Sequence, residues 1–220
     1  MRRLIIAIDG PSGAGKGTVS ATLAASLGYR HIDTGAMYRA VGWKAHADGI
    51  PLDDEHAVGD LAERASIVVE GGVVSIDGHD VTRAIRTSEI DKVAAAVAVL
   101  PRVRDIMVAR QRRLGDAGGV VMEGRDIGSV VFPTADVKVY LDASADERAR
   151  RRAGDAAHTG GQAGQDAVAA SIAARDKSDT TRAVSPLTLA ADAVHIDTTG
   201  MPIDEVVDTA MWLVRQKLDD

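Results

Sequence analysis

The 220-residue chain contains no cysteine, so disulfide frameworks and thiolate zinc sites are excluded. It contains no asparagine either, which removes any guanine-reading Asn-Lys-X-Asp motif. Long apolar runs are also missing. The first, Leu4-Ile5-Ile6-Ala7-Ile8 behind Met1-Arg2-Arg3, stops at Asp9, short of a signal-peptide core and far short of a membrane span. A cytoplasmic location is the resulting expectation. Nor is there an excess of positive charge: 26 Lys and Arg against 32 Asp and Glu leave −6. That balance argues against general nucleic-acid binding, since affinity for a phosphate backbone rests on net basic surface, but it leaves room for a local basic cleft. The six histidines show no metal-ligand spacing and are read as incidental. Trp43 and Trp212 fall within helical patterns and are read as packing residues rather than base-stacking platforms.

What the chain does have is a glycine-rich loop between a strand and a helix. Gly10-Pro11-Ser12-Gly13-Ala14-Gly15-Lys16-Gly17-Thr18 follows the apolar run ending at Ile8 and precedes a helix-forming stretch over residues 19–27. That order makes a phosphate cradle: backbone N–H groups turn inward around an anion, the helix adds its positive end, and Lys16 reaches the outer phosphates. The loop departs from the usual P-loop at one place. Gly17 stands where Ser or Thr is expected, and Thr18 comes one residue later. The Gly-Lys-Gly-Thr ending resembles the loops of nucleoside monophosphate kinases, in which the threonine sits close to the donor phosphates.

The length fits one domain with an appendage. Short apolar segments at residues 29–33, 120–122, 136–142 and 193–197 join the first strand to predict a five-stranded parallel sheet flanked by helices. Residues 67–82 have a different texture, with Gly71-Gly72 and Asp77-Gly78 as hairpin turns, and predict a small antiparallel sheet inserted in the alternating chain. Residues 85–100 read as mostly helical, Pro101 opens a helix through Leu114, and the last helix places Ile203, Val206, Val207, Ala210 and Val214 on one face. The Gly- and Ala-rich stretch 154–164 reads as mobile. Arg110, Arg112 and Arg113 read as a solvated helix face.

Ligands of open α/β sheets sit at the carboxyl ends of the strands. Asp33, Thr34, Tyr38 and Arg39 follow the second strand, and Glu123, Gly124, Arg125 and Asp126 follow the third. Arg148, Arg150, Arg151 and Arg152, and the stretch 175–182, add further arginines. Guanidinium groups clamp phosphate with paired hydrogen bonds, so this set points to a second phosphorylated ligand. Phosphoryl transfer then needs alignment and charge neutralisation, which Lys16, Mg²⁺ and several arginines provide.

Five segments in order resemble the bacterial cytidylate kinases over nearly the whole chain: the glycine loop, Asp33-Thr34-Gly35-Ala36-Met37-Tyr38-Arg39, Pro101-Arg102-Val103-Arg104, Gly124-Arg125-Asp126, and Arg175-Asp176 through Asp179 to Arg182-Ala183-Val184. The resemblance implies transfer of a phosphoryl group from ATP to CMP or dCMP, with Mg²⁺, by a chain expected to be monomeric. It implies a single P-loop kinase domain 1–220, with a core over 1–64 and 101–220, an inserted CMP-binding subdomain over about 65–100 and a lid over about 148–166. Arg39 and Arg125 are expected to hold the CMP phosphate, Arg104 and Asp126 to read cytosine, Arg175 and Asp179 to contact the sugar, and Arg182 to lie by the phosphates, with Thr34 and Tyr38 in the same pocket. Lys16, Arg125 and Arg182 are the catalytic set. Gly10 to Thr18 together with Arg148, Arg151 and Arg152 are the ATP set. Thr18 and, through water, Glu123 are the metal candidates. Ala95 stands where relatives often carry a hydroxyl residue that helps contact the base.

Other readings stay open at this level. Arg148, Arg151 and Arg152 either close over ATP or pair along a helix with Asp146 and Glu147. Asp33 either caps a helix or belongs to the site, and Arg125 and Asp126 form either ligand contacts or an ion pair with each other. The acceptor is alternatively UMP, AMP or shikimate. A GTP-hydrolysing switch is disfavoured by Gly17 and by the missing asparagine, and a silent nucleotide-binding module by the intact Lys16.

Overall fold

Alternating strands and helices fill most of the computed structural model, which describes residues 3–155 and 164–219. The chain runs β1 (Ile5–Asp9), α1 (Lys16–Leu27), β2 (Arg30–Asp33), α2 (Thr34–Ala47) and α3 (Glu55–Arg64). A hairpin unit follows, β3 (Ile67–Glu70), β4 (Val73–Ile76) and β5 (His79–Asp80), then α4 (Ser88–Ala98) and α5 (Pro101–Gly115). The rest is β6 (Val120–Gly124), a π-turn (Ile127–Val131), β7 (Val137–Asp142), α6 (Ala145–Ala153), α7 (Gln165–Thr181), β8 (Val194–Asp197) and α8 (Ile203–Asp219).

The five long strands form a parallel sheet in the order β2-β6-β1-β7-β8. Both faces are covered, as such sheets require, and the two-residue period of the strands sorts side chains between them. Ile6, Ile8 and Val121 pack with Val19, Leu23, Val206 and Val214 of α1 and α8. Ala7, Val120 and Met122 pack with Met37, Val41, Val103 and Met107 of α2 and α5. Register brings Ile8 and Asp33 level with Glu123, and Asp9 level with Gly124. The strands β1, β2, β7 and β8 all end in aspartate at the same edge, so the sheet delivers carboxylates to one rim.

The inserted sheet β3-β4-β5 is antiparallel. Its turns need left-handed backbone at two consecutive residues, and both pairs supply it: Gly71 and Gly72 at φ 57° and 80°, Asp77 and Gly78 at φ 49° and 78°. Its inner face joins Ala36 and Ala40 of α2 and Ile90 of α4 in a separate core. The helices begin where local chemistry satisfies their free N–H groups. Asp33, Asp54 and Thr87 accept from the backbone N–H three residues on, at 2.9, 3.0 and 3.2 Å, and Pro101 opens α5.

Three expectations need correction. Trp212 is 58% exposed on α8; the pattern there is carried by Val206, Ala210, Met211 and Val214 instead. Arg110 is half-buried and fixed, donating to the carbonyls of Ala65 and Glu63 at 2.6 and 2.8 Å, whereas Arg112 is exposed as expected but still donates to those of Val131 and Val130 at 3.0 and 2.7 Å. They tie α5 to the chain end of α3 and to the π-turn, and Arg113 is exposed like Arg112. His31 is not incidental, because it is hydrogen-bonded to Glu123. Most of the stretch expected to be mobile, and of the expected lid beyond Asp155, falls at 156–163, outside the described residues. Among the described residues no helix is long and apolar enough to cross a membrane.

Candidate active site

The glycine loop bends back under β7 and α6. Gly10, Gly13 and Gly15 have φ of 145°, 82° and 93°, a region that excludes ordinary side chains. Gly10 is further constrained by space, since a Cβ there would lie 1.9 Å from the carbonyl oxygen of Leu141. Gly13 lies under α6, where a Cβ would stand 2.9 Å from the Arg148 carbonyl. α1 then starts with no side-chain cap, leaving its first N–H groups for an anion. Lys16 folds back over the loop and donates from Nζ to the Pro11 carbonyl at 2.7 Å. Burial, followed by the nearby Arg125 charge, depresses its pKa to about 7 against the opposing pull of Glu123, Asp9 and Asp179.

Glu123 of β6 lies on the floor of the site and Asp9 of β1 behind it. Asp9 accepts from the N–H groups of Ile127 and Gly128 at 2.8 and 2.7 Å, which holds the π-turn behind Asp126. Burial pushes its pKa up to about 6 despite those two bonds. Glu123 faces the loop: its Oε1 would lie 3.5 Å from a Cβ on Gly17, and its other contact is His31 Nε2 at 2.8 Å. Burial alone lowers the His31 pKa, but the hydrogen bond and charge of Glu123 outweigh it and the net direction is upward. Thr34 donates to the Glu123 carbonyl at 2.7 Å. Among the described residues no three His, Cys, Asp or Glu side chains are grouped to hold a metal ion.

Around this floor stands a lattice of arginines, each held by a carboxylate or a carbonyl. Arg39 reaches Asp33 at 2.7 Å, so Asp33 both caps α2 and fixes an arginine. Burial raises the Asp33 pKa, but Arg39, the Ala36 N–H and the nearby Arg86 outweigh it, and the net shift is downward. Arg125 meets Asp179 at 2.8 Å, and Arg175 meets the same carboxylate at 3.2 Å. Arg104 pairs with Asp126 in a buried contact, its guanidinium 5.7 Å from the Tyr38 ring centroid. Arg182 lies 3.6 Å from Asp126 and 3.9 Å from Asp179. Arg125 and Asp126 therefore pair with other residues, not with each other. Tyr38 has its phenol pushed up to about 12 by burial and stays protonated.

Two adjoining cavities of about 780 and 670 Å³ share Ser12, Gly35, Arg39, Arg125, Arg152 and Arg175 in their walls. The larger also takes in Lys16, Thr18, Tyr38, Arg104, Glu123, Asp126, Arg151 and Arg182, and the smaller reaches Ala95. Nearly all the residues singled out in the sequence converge here, with four exceptions to the cavity walls. Gly10 and Pro11, at the start of the loop, are set back from the cavity, and Asp179 lies beneath the arginines it holds. Arg148 stands behind the loop, donating to Ala143 O at 2.9 Å, Ser12 O at 3.2 Å and Asp176 at 2.6 Å. It braces the cradle from outside, unlike Arg151, which pairs with Glu147 at 2.8 Å and Thr198 Oγ1 at 2.9 Å yet still faces the cavity beside Gly15.

Asp9, His31 and Arg86 belong to this neighbourhood without having been singled out. A carboxylate directly before the loop, and a histidine two residues before Asp33, were the available signals.

The chain matches the family model described as Cytidylate kinase over residues 6–216. It is 47% identical to a cytidylate kinase of Solibacter usitatus over 99% of this chain and 94% of that one. It is 46% identical to a cytidylate kinase of Bacillus subtilis, covering 98% of each. Among solved structures, an uncharacterized protein from Eubacterium ventriosum superposes with a TM-score of 0.54 at 11% identity, over 97% of this chain and 99% of that one. TT1252 from Thermus thermophilus gives 0.50 at 17%, over 99% of both. At such identities these structures speak for the fold alone.

Proposed function

The chain belongs to the cytidylate kinase family, and we propose on that footing that it transfers the γ-phosphoryl group of ATP to CMP or dCMP, giving ADP and CDP or dCDP. The observation that carries the reading is one cleft in which a lysine-bearing phosphate cradle faces Arg39, Arg125, Arg175, Arg182 and a buried Arg104–Asp126 pair. ATP places its phosphates in the loop of Gly10 to Thr18, against Lys16 and the free N–H groups of α1, with Arg151 and Arg152 alongside. Arg148 serves this half by holding Ser12 and α6 in place. CMP places its phosphate between Arg39 and Arg125. Its base meets Arg104 and Asp126, since a carboxylate accepts from the exocyclic amine and a guanidinium donates to the acceptor edge. Thr34 and Tyr38 close the same pocket, and Arg175 and Asp179 lie by the sugar.

In the transfer, a phosphate oxygen of CMP forms a bond to the γ-phosphorus as the bond to the β,γ-bridging oxygen breaks. The bonding electron pair leaves with ADP. Lys16, Arg125 and Arg182 neutralise the equatorial oxygens, which is most of what this chemistry asks of a protein. A hard divalent cation suits the cradle: the Thr18 side chain and the Glu123 carboxylate are oxygen donors on the cavity wall, and Gly17 leaves the space between loop and carboxylate open. Thr18 and, through a water, Glu123 would hold Mg²⁺, which would supply positive charge against the donor phosphates.

Residues 65–100 act as the CMP-binding subdomain and 148–166 as a lid, both set in the single domain 1–220. One chain supplies the whole cleft, which supports a monomeric working form, and its substrates support a cytoplasmic one. ADP production with ATP and Mg²⁺ against CMP, dCMP, UMP, AMP, GMP and no acceptor tests the reading. Turnover confined to CMP and dCMP is expected. Turnover only with another acceptor would discard the cytosine assignments, and hydrolysis without acceptor would discard the kinase reading.

A further inference from the structure

Asp91 sits in the first turn of α4, where a carboxylate needs no special reason because it offsets the helix dipole. Such a residue ordinarily faces water. Here its carboxylate accepts from Arg152 Nη2, and its backbone carbonyl accepts from Arg175 Nη1 at 2.9 Å. Arg152 belongs to the last turn of α6 and Arg175 to the middle of α7, 61 and 84 residues away in sequence. The side chains of the Asp91–Arg152 pair are 27% and 20% exposed, so solvent screens it less than it screens a surface pair.

The contact joins the two halves of the cleft. α4 is the helix that carries Ala95 and packs along α2 behind Arg39. Arg152 lies in the walls of both cavities. On the other side, Arg175 passes to Asp179, which holds Arg125. One residue of the acceptor-side subdomain thus touches an arginine of the donor-side helix and an arginine of the lattice that would bind the CMP phosphate. Resting on the function proposed above, we infer that Asp91 is a positioning residue that couples the two substrate sites, fixing Arg152 over the donor phosphates when α4 closes on CMP. The coupling is by geometry: movement of α4 carries the acceptor for Arg152 with it, so filling one pocket sets the place of a side chain in the other.

The test is the affinity of a non-hydrolysable ATP analogue, by calorimetry, with and without saturating CMP. The ratio of the two dissociation constants is the coupling factor. In wild type CMP is expected to tighten analogue binding by about 5-fold or more, the lower end of ordinary site-to-site coupling. Asp91→Ala and Arg152→Ala should each bring the factor close to one, and the double variant should lose nothing further. Asp91→Asn, which keeps volume and hydrogen-bonding capacity, serves if Asp91→Ala does not fold, and should lie between. A general loss of structure would weaken both ligands together and leave the factor in place. A wild-type factor of one, an unchanged factor in Asp91→Ala, or additive losses in the double variant would overturn the inference while CMP turnover stands. Absence of CMP binding and turnover in wild type would remove both this inference and the function on which it rests.

Discussion

Arg104 on α5 and Asp126 after β6 form a buried ion pair whose side chains are 2% and 8% exposed. The rest of the Arg104 fork is only partly used: Nη1 donates to the Ala98 carbonyl at 3.3 Å, and Nε has no partner among the described residues. A buried guanidinium with a spare donor beside a buried carboxylate is costly to maintain by packing alone. It is well suited to a ligand edge that both donates and accepts.

Asp126→Ala is therefore expected to have two effects. It leaves Arg104 buried without its partner, a loss of about 3–5 kcal/mol for pairs of this kind, and it removes the acceptor for the cytosine amine, worth about 1–3 kcal/mol of discrimination. Thermal unfolding reads the first, and the ratio of kcat/KM for CMP over UMP reads the second. An unchanged ratio would remove Asp126 from base recognition. Replacing both members by apolar residues should recover stability without recovering discrimination.

Gly10→Ala should be among the most damaging substitutions in the loop. At φ 145° and with Leu141 O 1.9 Å from the added Cβ, the methyl group displaces β7 from β1 or pushes the loop out of register. The expected cost is about 3 kcal/mol or more, in the range of the large point-mutation effects. A midpoint in urea within a few tenths of a molar of wild type would refute it.

The fold was legible because its signals are local. Five apolar segments, the glycine loop, and the Gly71-Gly72 and Asp77-Gly78 turns each announce their structure within a few residues. The convergence of Arg39, Arg125, Arg175 and Arg182 followed from the rule that ligands gather at the strand ends, whereas Arg104, inside α5, was assigned through the family resemblance alone. What stayed hidden was pairing at long range. The histidine at 31 is meaningful only because parallel register places β2 beside β6, level with Glu123. Arg148 and Arg151 look alike in sequence, yet helix geometry turns one behind the loop and the other into the cavity. The exposure of Trp212 likewise depends on which stripe of α8 meets α1, and helical spacing alone did not say that.

His31 supplies a further prediction. Its Nε2 lies 2.8 Å from Glu123 Oε1 and holds that carboxylate toward Gly17. Substitutions that free an acid near a metal commonly weaken metal affinity by about 10-fold or more. His31→Leu should accordingly raise the Mg²⁺ concentration for half-maximal turnover by about that factor, while His31→Gln, able to donate to the same oxygen, should raise it less. Equal Mg²⁺ curves for all three proteins would separate His31 from the metal site.

Lys16 yields the sharpest pH test. In the free cleft its pKa stands at about 7, depressed chiefly by burial and then by Arg125. The unfolded chain holds the same proton up to about 10.4. Between those values the unfolded state binds the extra proton, so this group makes the nucleotide-free protein more stable as pH rises from about 7 towards 10 and less stable as pH falls back through 7. Lys16→Met removes that slope and should raise the midpoint of unfolding at pH 7, by about 2–4 °C for each kcal/mol gained, while cutting turnover by about 10²–10³-fold. Binding reverses the balance, because donor phosphates favour the ammonium form. At pH 8, where free Lys16 is mostly neutral, ATP binding should therefore take up close to one proton. Calorimetry in buffers of different ionisation enthalpy measures it as the slope of observed heat against buffer enthalpy. A slope that is zero in wild type, or that persists in Lys16→Met, would mean that the proton lies elsewhere and that Lys16 meets the phosphates already charged.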